Sequence, residues 1–248
     1  MRLPQALFFL CVFFTGSFLS GQSAQEMLEN VDSTLEPEQY HAVMELTTTR
    51  PDRQISVTLD ILYKKNVGSF LEILAPARVR GTRFLQKSQG LWIFSPQSED
   101  SRPLRLSPEL SFQGSVFSNG DMSEPHYSRD YHAEWAGTES LTVKGLGTIS
   151  TLMLIATPKT QKAQYGQMKL WIEKGTALPI KIEYTAKSGL LFKKMEFFHF
   201  KKLAGKLRPS VYSMVSYEDP SIISTLKILS MEQTNFSDQH FSILALTR

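Results

Sequence analysis

Cysteine is almost absent from this sequence, since Cys11 is the only one among 248 residues. It lies inside an apolar run near the N-terminus, and the rest of the chain contains none. The rest of the chain therefore cannot form a disulfide, a thiolate nucleophile or a cysteine metal site. An exported chain of this size without disulfides fits a bacterial envelope better than a disulfide-rich extracellular module.

Several signatures of enzymes and of nucleic-acid binding are also missing. The sequence has no Gly-x-Ser-x-Gly nucleophile motif and no phosphate-binding Gly-Lys loop. The pair of glycines at Gly145 and Gly147 lacks the third glycine of a dinucleotide site. Lys and Arg number 27 against 24 Asp and Glu, so the balance does not favour a nucleic-acid partner. We expect no enzyme activity, no cofactor and no nucleic acid among the partners.

One cluster of acidic and histidine residues is the exception that could hold a metal ion. Its members are Asp121, Glu124, His126, Asp130, His132 and Glu134. Their spacing matches neither a zinc motif nor a calcium loop, so the favoured interpretation is a set of polar loop residues and no metal site. The alternative is a secreted hydrolase that uses the stretch from His126 to Glu134.

The N-terminus has the three-part pattern of a secretory signal. Arg2 is basic, Ala6 to Leu19 is mostly apolar, and small residues follow at Gly21 and Ser23. The apolar run of roughly 14 residues is shorter than the ~20 that a transmembrane helix needs. The pattern predicts a signal peptide at residues 1–23 that is cleaved after Ser23.

The residues around Cys11 do not favour a lipid anchor, because Phe8, Phe9 and Leu10 precede it where small residues would be needed. No later stretch is apolar enough to cross a membrane. We therefore expect residues 24–248 to form one soluble domain in the periplasm.

The remaining sequence predicts a strand-rich domain that begins with one helix. Ala24 to Leu35 carries apolar residues at helical spacing, and Pro37 ends the pattern. From Ala42 onward the apolar period is two, as in the unbroken alternation from Ile55 to Tyr63. Further strands are expected at Val67 to Leu74, Ala77 to Gln86, Gly90 to Phe94, Leu104 to Leu106, near Tyr131, and at Leu152 to Ala156, Gln167 to Glu173, Ile180 to Thr185, Leu191 to Phe200, Ser210 to Ser216 and Ile223 to Met231.

The expected architecture is mainly β with few helices. A single sheet of about 10–11 strands must curl, because strands twist and open sheets rarely exceed ~10 strands. The stretch from Ser95 to Glu134 is rich in Ser, Asp, Pro and Gly and predicts an irregular segment, with a helical turn after Asp121. A curled sheet with a helix over its mouth encloses a concave apolar interior, and we expect side chains to leave part of it empty.

An ordered set of short motifs resembles the outer-membrane lipoprotein-sorting protein family, the relatives of the periplasmic lipoprotein carrier LolA. The motifs are Gly81 to Leu85, Leu91 to Pro96, Arg102 to Ser107, Gly114 to Ser118 with Asp121, Asp130-Tyr131, Ala156 to Lys159, Leu170 to Glu173 with Pro179, Ser188 to Phe197, and Phe241 to Arg248. One departure is the pair Pro103-Leu104, where relatives often have basic and β-branched residues.

The resemblance implies an incomplete, half-open antiparallel β-barrel covered by short helices, with a hydrophobic cavity for acyl chains. It implies neither enzyme activity nor a cofactor. The implied function is a periplasmic carrier that shields the acyl chains of a lipid or lipoprotein on the way to the outer membrane. An inner-membrane exporter and an outer-membrane acceptor are the implied protein partners.

The strand faces give candidate ligand residues. For the cavity wall these are Leu59, Ile61, Phe84, Trp92, Phe94, Leu170, Ile172 and Ile182; a register error of one residue would move any of them to the other face. Arg83, Arg102 and Arg105 are candidates for contact with anionic head groups near the mouth. The rival to a carrier is an accessory subunit of a membrane exporter that binds only protein, which a cavity filled by side chains would favour.

Overall fold

The computed structural model describes residues 22–98, 102–122, 126–143 and 147–248. The strands in these ranges are Gln39–Thr49 (β1), Gln54–Lys64 (β2), Gly68–Ala75 (β3), Arg83–Lys87 (β4), Gly90–Phe94 (β5), Leu104–Leu106 (β6), Tyr131–Val143 (β7), Gly147–Pro158 (β8), Gln167–Glu173 (β9), Pro179–Thr185 (β10), Leu191–Phe198 (β11), Lys201–Leu203 (β12), Lys206–Arg208 (β13), Val211–Ser216 (β14) and Ile223–Glu232 (β15). The helices are Ala24–Leu35 (α1), Tyr127–Asp130 (α2) and Ile243–Thr247 (α3), with a 3-10 turn at Asp238–Phe241.

Within the described ranges, no helix has the length and apolar character required to span a bilayer. The predicted signal peptide, residues 1–23, lies outside the described residues except for its last two positions.

Thirteen of the described strands form one antiparallel sheet in the order β6-β5-β4-β3-β2-β1-β15-β14-β11-β10-β9-β8-β7. The strands β12 and β13 pair separately as a small hairpin. The mainly β, antiparallel prediction is confirmed, and the sheet is larger than expected. Both strands of the β7–β8 hairpin are among those predicted, but they are longer than the pattern indicates, which marks only the start of β7 and the stretch from Leu152 to Ala156.

The strand predicted at Ala77 to Gln86 is wrong in its first half, since β4 begins at Arg83. Residues 76–82 form turns instead, in which the Val79 amide donates to the Pro76 carbonyl and the Thr82 amide to the Val79 carbonyl, both at 3.1 Å. Apolar content alone does not distinguish such turns from a strand.

One face of the sheet, the core face, carries the main hydrophobic core. On β1 and β2, Ala42 pairs with Ile61 and Met44 pairs with Leu59, and all four side chains are buried. Residues of the same parity on the other strands belong to the same cluster. The period-two alternation therefore correctly predicts the buried face of these strands.

Helix α1 covers part of the core face and has the predicted bounds. It starts with a capping box, in which the Ser23 hydroxyl accepts from the Glu26 amide (3.1 Å) and the Glu26 carboxylate accepts from the Ser23 amide (2.7 Å). Leu28 and Val31 are fully buried in the main core. A cut after Ser23 would remove this cap.

A glutamine fastens the start of α1 to the β7 edge of the sheet. The Gln25 amide nitrogen donates to the carbonyls of Ser128 (3.1 Å) and Tyr131 (3.4 Å), and its oxygen accepts from the Ala133 amide (3.0 Å). The side chain thus bonds β7 as a peptide group of a neighbouring strand would.

The second cover of the core face is the bridging segment, residues 107–122, which follows β6. It has the predicted irregular structure, and its Phe112 and Phe117 are buried in the main core. The Arg50 guanidinium donates to the Gly114 carbonyl (2.9 Å), and the Val116 amide donates to the Ser224 hydroxyl (2.9 Å). The segment is therefore bonded to β15 and to the turn before β2.

The opposite, outer face carries a second and smaller cluster. Leu85 and Phe94 pack there against Phe241 and Leu246 from the C-terminal segment. The Lys64 ammonium contacts the Asp238 carboxylate at 2.5 Å, and the Lys87 ammonium donates to the Phe241 carbonyl at 2.9 Å. The C-terminal segment thus covers the outer face of β3, β4 and β5.

Candidate functional site

A small apolar pocket lies on the core face, beneath α1 and the bridging segment. Its volume is about 70 Å³, well below the ~300–1,000 Å³ of most ligand pockets. It is lined by Leu35, Glu36, Tyr40, Met44, Ile61, Phe117, Asp121, Met122, Tyr127, Met195, Tyr212, Leu226 and Met231. The space that side chains leave empty in the concave interior is therefore small.

Aromatic side chains and the two covers fill the concave interior. Phe112 of the bridging segment packs on Phe84 of β4 with ring centroids 5.0 Å apart. Tyr165 packs on Tyr184 of β10 at 4.6 Å. The two covers thus contribute buried side chains to the interior, which leaves the pocket small.

The predicted wall residues divide between the two faces of the sheet. Six of them are buried in the main core on the core face, and Ile61 also lines the pocket; these six are Leu59, Ile61, Phe84, Leu170, Ile172 and Ile182. Trp92 and Phe94 instead pack against the second cluster, beneath the C-terminal segment. Their assignment to the cavity wall is corrected, since on β5 it is Ile93 that pairs with Phe84.

The predicted head-group arginines do not converge on the pocket. Arg83 pairs with Glu72 at 2.9 Å, on the face opposite to Phe84. The Arg105 guanidinium lies over the Trp92 ring, 5.9 Å from its centroid, and Arg105 also contacts the Gln89 carbonyl. Arg102 is exposed just before β6. Arg83 and Arg105 thus belong to the outer face, because their strand neighbours occupy the core face.

A buried ion pair, here called the polar latch, joins the bridging segment to the sheet. The Lys193 ammonium contacts the Asp121 carboxylate at 2.5 Å, and both side chains are more than nine-tenths buried. The same carboxylate accepts from the Ser118 amide (2.7 Å) and contacts the Tyr165 hydroxyl. These bonds offset part of the cost of burying two charges.

Sequence reasoning missed the latch, although a signal was present. Lys193 has the same strand parity as Met195 and Phe197, so a charged residue stands in phase with a buried face. Such a residue needs a buried counter-charge, which sequence alone does not identify.

Buried tyrosines extend the polar network beside the pocket. The hydroxyls of Tyr127 and Tyr184 are hydrogen-bonded at 2.9 Å, and the Tyr165 amide donates to the Tyr131 hydroxyl at 2.8 Å. Burial raises the pKa of Tyr127 and Tyr184 well above the ordinary value of 10.0, and that of Tyr131 to about 12. These phenols therefore stay neutral at physiological pH.

A polar cleft of about 640 Å³ lies beside the C-terminal end of α1. Arg208 of β13 is buried there, and its guanidinium donates to the carbonyls of Leu203 (3.1 Å), Ser33 (2.8 Å) and Thr34. A cation at the C-terminus of a helix satisfies its last carbonyls and complements its dipole. Arg208 thus attaches the end of α1 to the β12–β13 hairpin.

Asp32 connects α1 to α2 at the edge of this cleft. Its carboxylate accepts from the amides of Tyr127 (3.1 Å) and Ser128 (2.8 Å). Burial raises the pKa of Asp32 above its ordinary value of 3.8, although these hydrogen bonds act in the opposite direction.

The acidic and histidine residues make separate contacts, although Asp121, His126 and Asp130 line a second small pocket. Asp121 belongs to the latch, and His126 forms a hydrogen bond with the Tyr63 hydroxyl at 2.5 Å. His132 and Glu134 are exposed residues of β7. Glu124 lies outside the described residues. In the part of the chain that the structure describes, no three such side chains are close enough to hold a metal ion.

Solved structures with the same fold include three bacterial proteins. A LolA superfamily protein from Nitrosomonas europaea, NE2245, is 27% identical, with a TM-score of 0.79 over 90% of this chain and 98% of that one. A domain from Vibrio parahaemolyticus described as an outer membrane lipoprotein-sorting protein is 20% identical, with a TM-score of 0.76 over 91% and 98% of the two chains. A DUF1329 family protein from Desulfovibrio piger is 21% identical, with a TM-score of 0.76 over 90% and 97%.

At the level of sequence, a family model described as "Uncharacterized protein" matches residues 65–248. None of the curated proteins compared matches this chain.

Proposed function

This chain belongs to the family whose model matches residues 65–248 and has the fold of the LolA superfamily, and we propose that it is a carrier for acyl chains. In this proposal it shields the chains of a lipid or lipoprotein and takes part in their transport toward the outer membrane. The work is done in the periplasm, after cleavage of the N-terminal signal.

The observation that carries the proposal is the way in which the core face is covered. Its strands present a continuous apolar surface, yet α1 and the bridging segment, which are not strands of the sheet, occupy the concave side. Displacement of either cover would expose apolar wall without breaking the strand pairing. The pocket of about 70 Å³ marks where an acyl chain would begin to enter.

The free energy that α1 gains by burying its apolar side chains is similar in size to the free energy that a bound acyl chain would gain. Four α1 side chains, Met27, Leu28, Val31 and Leu35, are buried, which contributes roughly 6–12 kcal/mol at ~1.5–3 kcal/mol each. A 16-carbon acyl chain gains at most about 12 kcal/mol at ~0.8 kcal/mol per CH₂. An acyl chain that replaces α1 on the core face would therefore bind reversibly, as a carrier requires.

The proposed partners follow from this role. A donor at the inner membrane, of the exporter class, would supply the lipid or lipoprotein, and an acceptor at the outer membrane would receive it. The proposal concerns only the acyl chains of the cargo, because the buried residues of the core face are mostly apolar.

Ligand binding by the purified mature chain tests the proposal. We expect lipid to co-purify with the protein in native mass spectrometry, and a fluorescent fatty acid to bind with an apparent Kd in the micromolar range or below. Protein that neither carries lipid nor binds the probe would contradict the carrier function.

A pair of matched variants locates the binding. Leu226→Phe adds volume inside the pocket, whereas Leu229→Phe adds it to an exposed position of the same strand. We expect the first to weaken probe binding at least fivefold and the second to leave it unchanged. Because overpacking costs about 1–3 kcal/mol, thermal unfolding of both variants is measured alongside.

The packed interior also favours a second candidate, an accessory subunit of a membrane exporter that binds only protein. In that case the covers would stay in place, and the buried pocket would be ordinary core. Absence of lipid and probe binding together with capture of a membrane protein by the immobilised chain would select this candidate.

A further inference from the structure

The end of the turn between β10 and β11, residues 186–190, and the first residue of β11 expose two large apolar side chains that are adjacent in sequence. Leu190 is 69% exposed, and Leu191, the first residue of β11, is 43% exposed. Leu190 follows Gly189, whose φ of +88° belongs to the left-handed region that a tight turn requires. Two exposed leucines at the tip of a hairpin contribute nothing to the described core.

Cations lie next to these leucines. Lys187 is exposed in the same turn, and its ammonium donates to the Gln161 carbonyl at 3.1 Å, so the turn adjoins the β8–β9 connection. That connection carries Lys159 and Lys162, both exposed. Leucines flanked by lysines are typical of segments that insert into the interface of a bilayer with anionic lipids.

The strand pairings place several other connections at the same end of the sheet. The β1–β2, β8–β9, β10–β11 and β14–β15 turns follow the register pairs Thr49–Gln54, Ala156–Met168, Thr185–Leu191 and Val215–Ile223. The β3–β4 and β5–β6 connections lie at that end as well. We call this the basic end of the sheet.

Positive charge predominates at the basic end. In the described parts of these six connections the cations are Arg50, Arg53, Arg78, Arg80, Arg102, Lys159, Lys162 and Lys187. The acidic residues of the same connections are fewer: Asp52, Glu218 and Asp219, to which the sequence of the β5–β6 connection adds Glu99 and Asp100. Tyr217 is 41% exposed in the turn beside β11, and tyrosine is a residue that prefers the bilayer interface.

We propose that the basic end docks on a membrane surface that contains anionic phospholipid, with Leu190 and Leu191 inserted among the acyl chains. This goes beyond the carrier function, because docking requires no cargo. The same end has a cleft of about 430 Å³ between the bridging segment and the sheet, lined in part by Phe192 and by Lys193 of the latch. A docked membrane would face that cleft.

Sedimentation of the cargo-free mature chain with vesicles tests the proposal. The vesicles contain 70% phosphatidylcholine and 30% phosphatidylglycerol, with pure phosphatidylcholine for comparison. We expect binding to the anionic vesicles, and a fall of at least tenfold in affinity when the salt concentration is raised from 0.05 M to 0.5 M, because exposed charges are then screened.

Variants identify the docking end. Leu190→Ser/Leu191→Ser and Lys162→Glu/Lys187→Glu should each reduce vesicle binding at least fivefold. Leu244→Ser, in α3, and Leu207→Ser, in the lysine-containing β12–β13 hairpin, serve as controls with exposed leucines and should bind as the parent chain does. If either of the first two variants binds vesicles as tightly as the parent chain, or if only Leu207→Ser loses binding, the assignment is overturned.

A second measurement does not depend on loss of binding. After subtraction of the emission of the parent chain, which has three tryptophans of its own, the emission of a Leu190→Trp variant should shift to the blue when anionic vesicles are added, whereas that of Leu244→Trp should not. Absence of vesicle binding by the parent chain would overturn the docking proposal and leave the carrier proposal intact, since probe binding is measured without membranes.

Discussion

The two covers of the core face are held in different ways. Helix α1 is held by apolar contact, with Leu28 and Val31 fully buried. It is also held by the hydrogen bonds of Gln25, Asp32 and Arg208, of which Asp32 and Arg208 are buried charged residues without a shared ion pair. The bridging segment is held by a buried charge pair between Asp121 and Lys193 in addition to its phenylalanines. Apolar contact can be replaced by an acyl chain at little net cost, whereas a buried charge left without its partner is strongly unfavourable. We therefore expect a ligand to displace α1 rather than the bridging segment, because Asp32 and Arg208 border the polar cleft and would be hydrated when α1 leaves.

Removal of the latch cation should have the largest effect. Lys193→Met leaves the Asp121 carboxylate buried without its counter-charge, so the free energy of unfolding should fall by about 3–5 kcal/mol. Urea denaturation measures the change. The double variant Lys193→Met/Asp121→Leu should recover part of the loss.

The neighbouring Lys194 is the matched control for that experiment, because its side chain is only partly buried. Lys194→Met should change the free energy of unfolding by no more than about 0.5 kcal/mol. If the two single variants are equally stable, the latch does not hold the bridging segment.

Weakening the contacts of α1 should lower the stability less than loss of the latch cation does. It should also make ligand binding tighter. Leu28→Ala removes a fully buried side chain and should lower the free energy of unfolding by about 2–5 kcal/mol. Fluorescent fatty acid should then bind more tightly, since less apolar contact has to be displaced. Leu229→Ala, at an exposed position, is the control; unchanged probe affinity in Leu28→Ala would argue against α1 as the displaced cover.

The smallest effect is expected at the helix cap. Ser23→Ala removes half of the capping box and should cost about 1 kcal/mol in a chain that retains residue 23. Mass spectrometry of the secreted protein shows which N-terminal residue remains. If the cut falls after Ser23, the substitution will have no effect on the mature chain.

Local patterns were sufficient to predict several elements. Helix α1 follows from helical spacing ended by Pro37, and β2 follows from uninterrupted alternation between Ile55 and Tyr63. In both α1 and β2 one face is apolar and the other polar, so the same pattern predicts where the element begins and ends and which face is buried. The irregular bridging segment likewise follows from its composition.

Other features depend on distant parts of the chain. The run Leu91-Trp92-Ile93-Phe94 is apolar on both faces because the C-terminal segment covers its outer side, so parity could not identify the core face. The size of the pocket depends on Phe117, which lines it from a segment without periodicity. The latch partner Asp121 is far from Lys193 in sequence, and only the folded chain brings them together.

The hydrogen bonds between Gln25 and β7 connect the position of α1 with the tendency of the protein to self-associate. As long as α1 is in place, the Tyr131 carbonyl and the Ala133 amide at the sheet edge are occupied. Once α1 leaves, these groups become available, and an unprotected edge strand pairs readily with other extended chains. A loaded, uncovered molecule free in solution would therefore tend to self-associate, which favours uncovering only in contact with a donor or an acceptor.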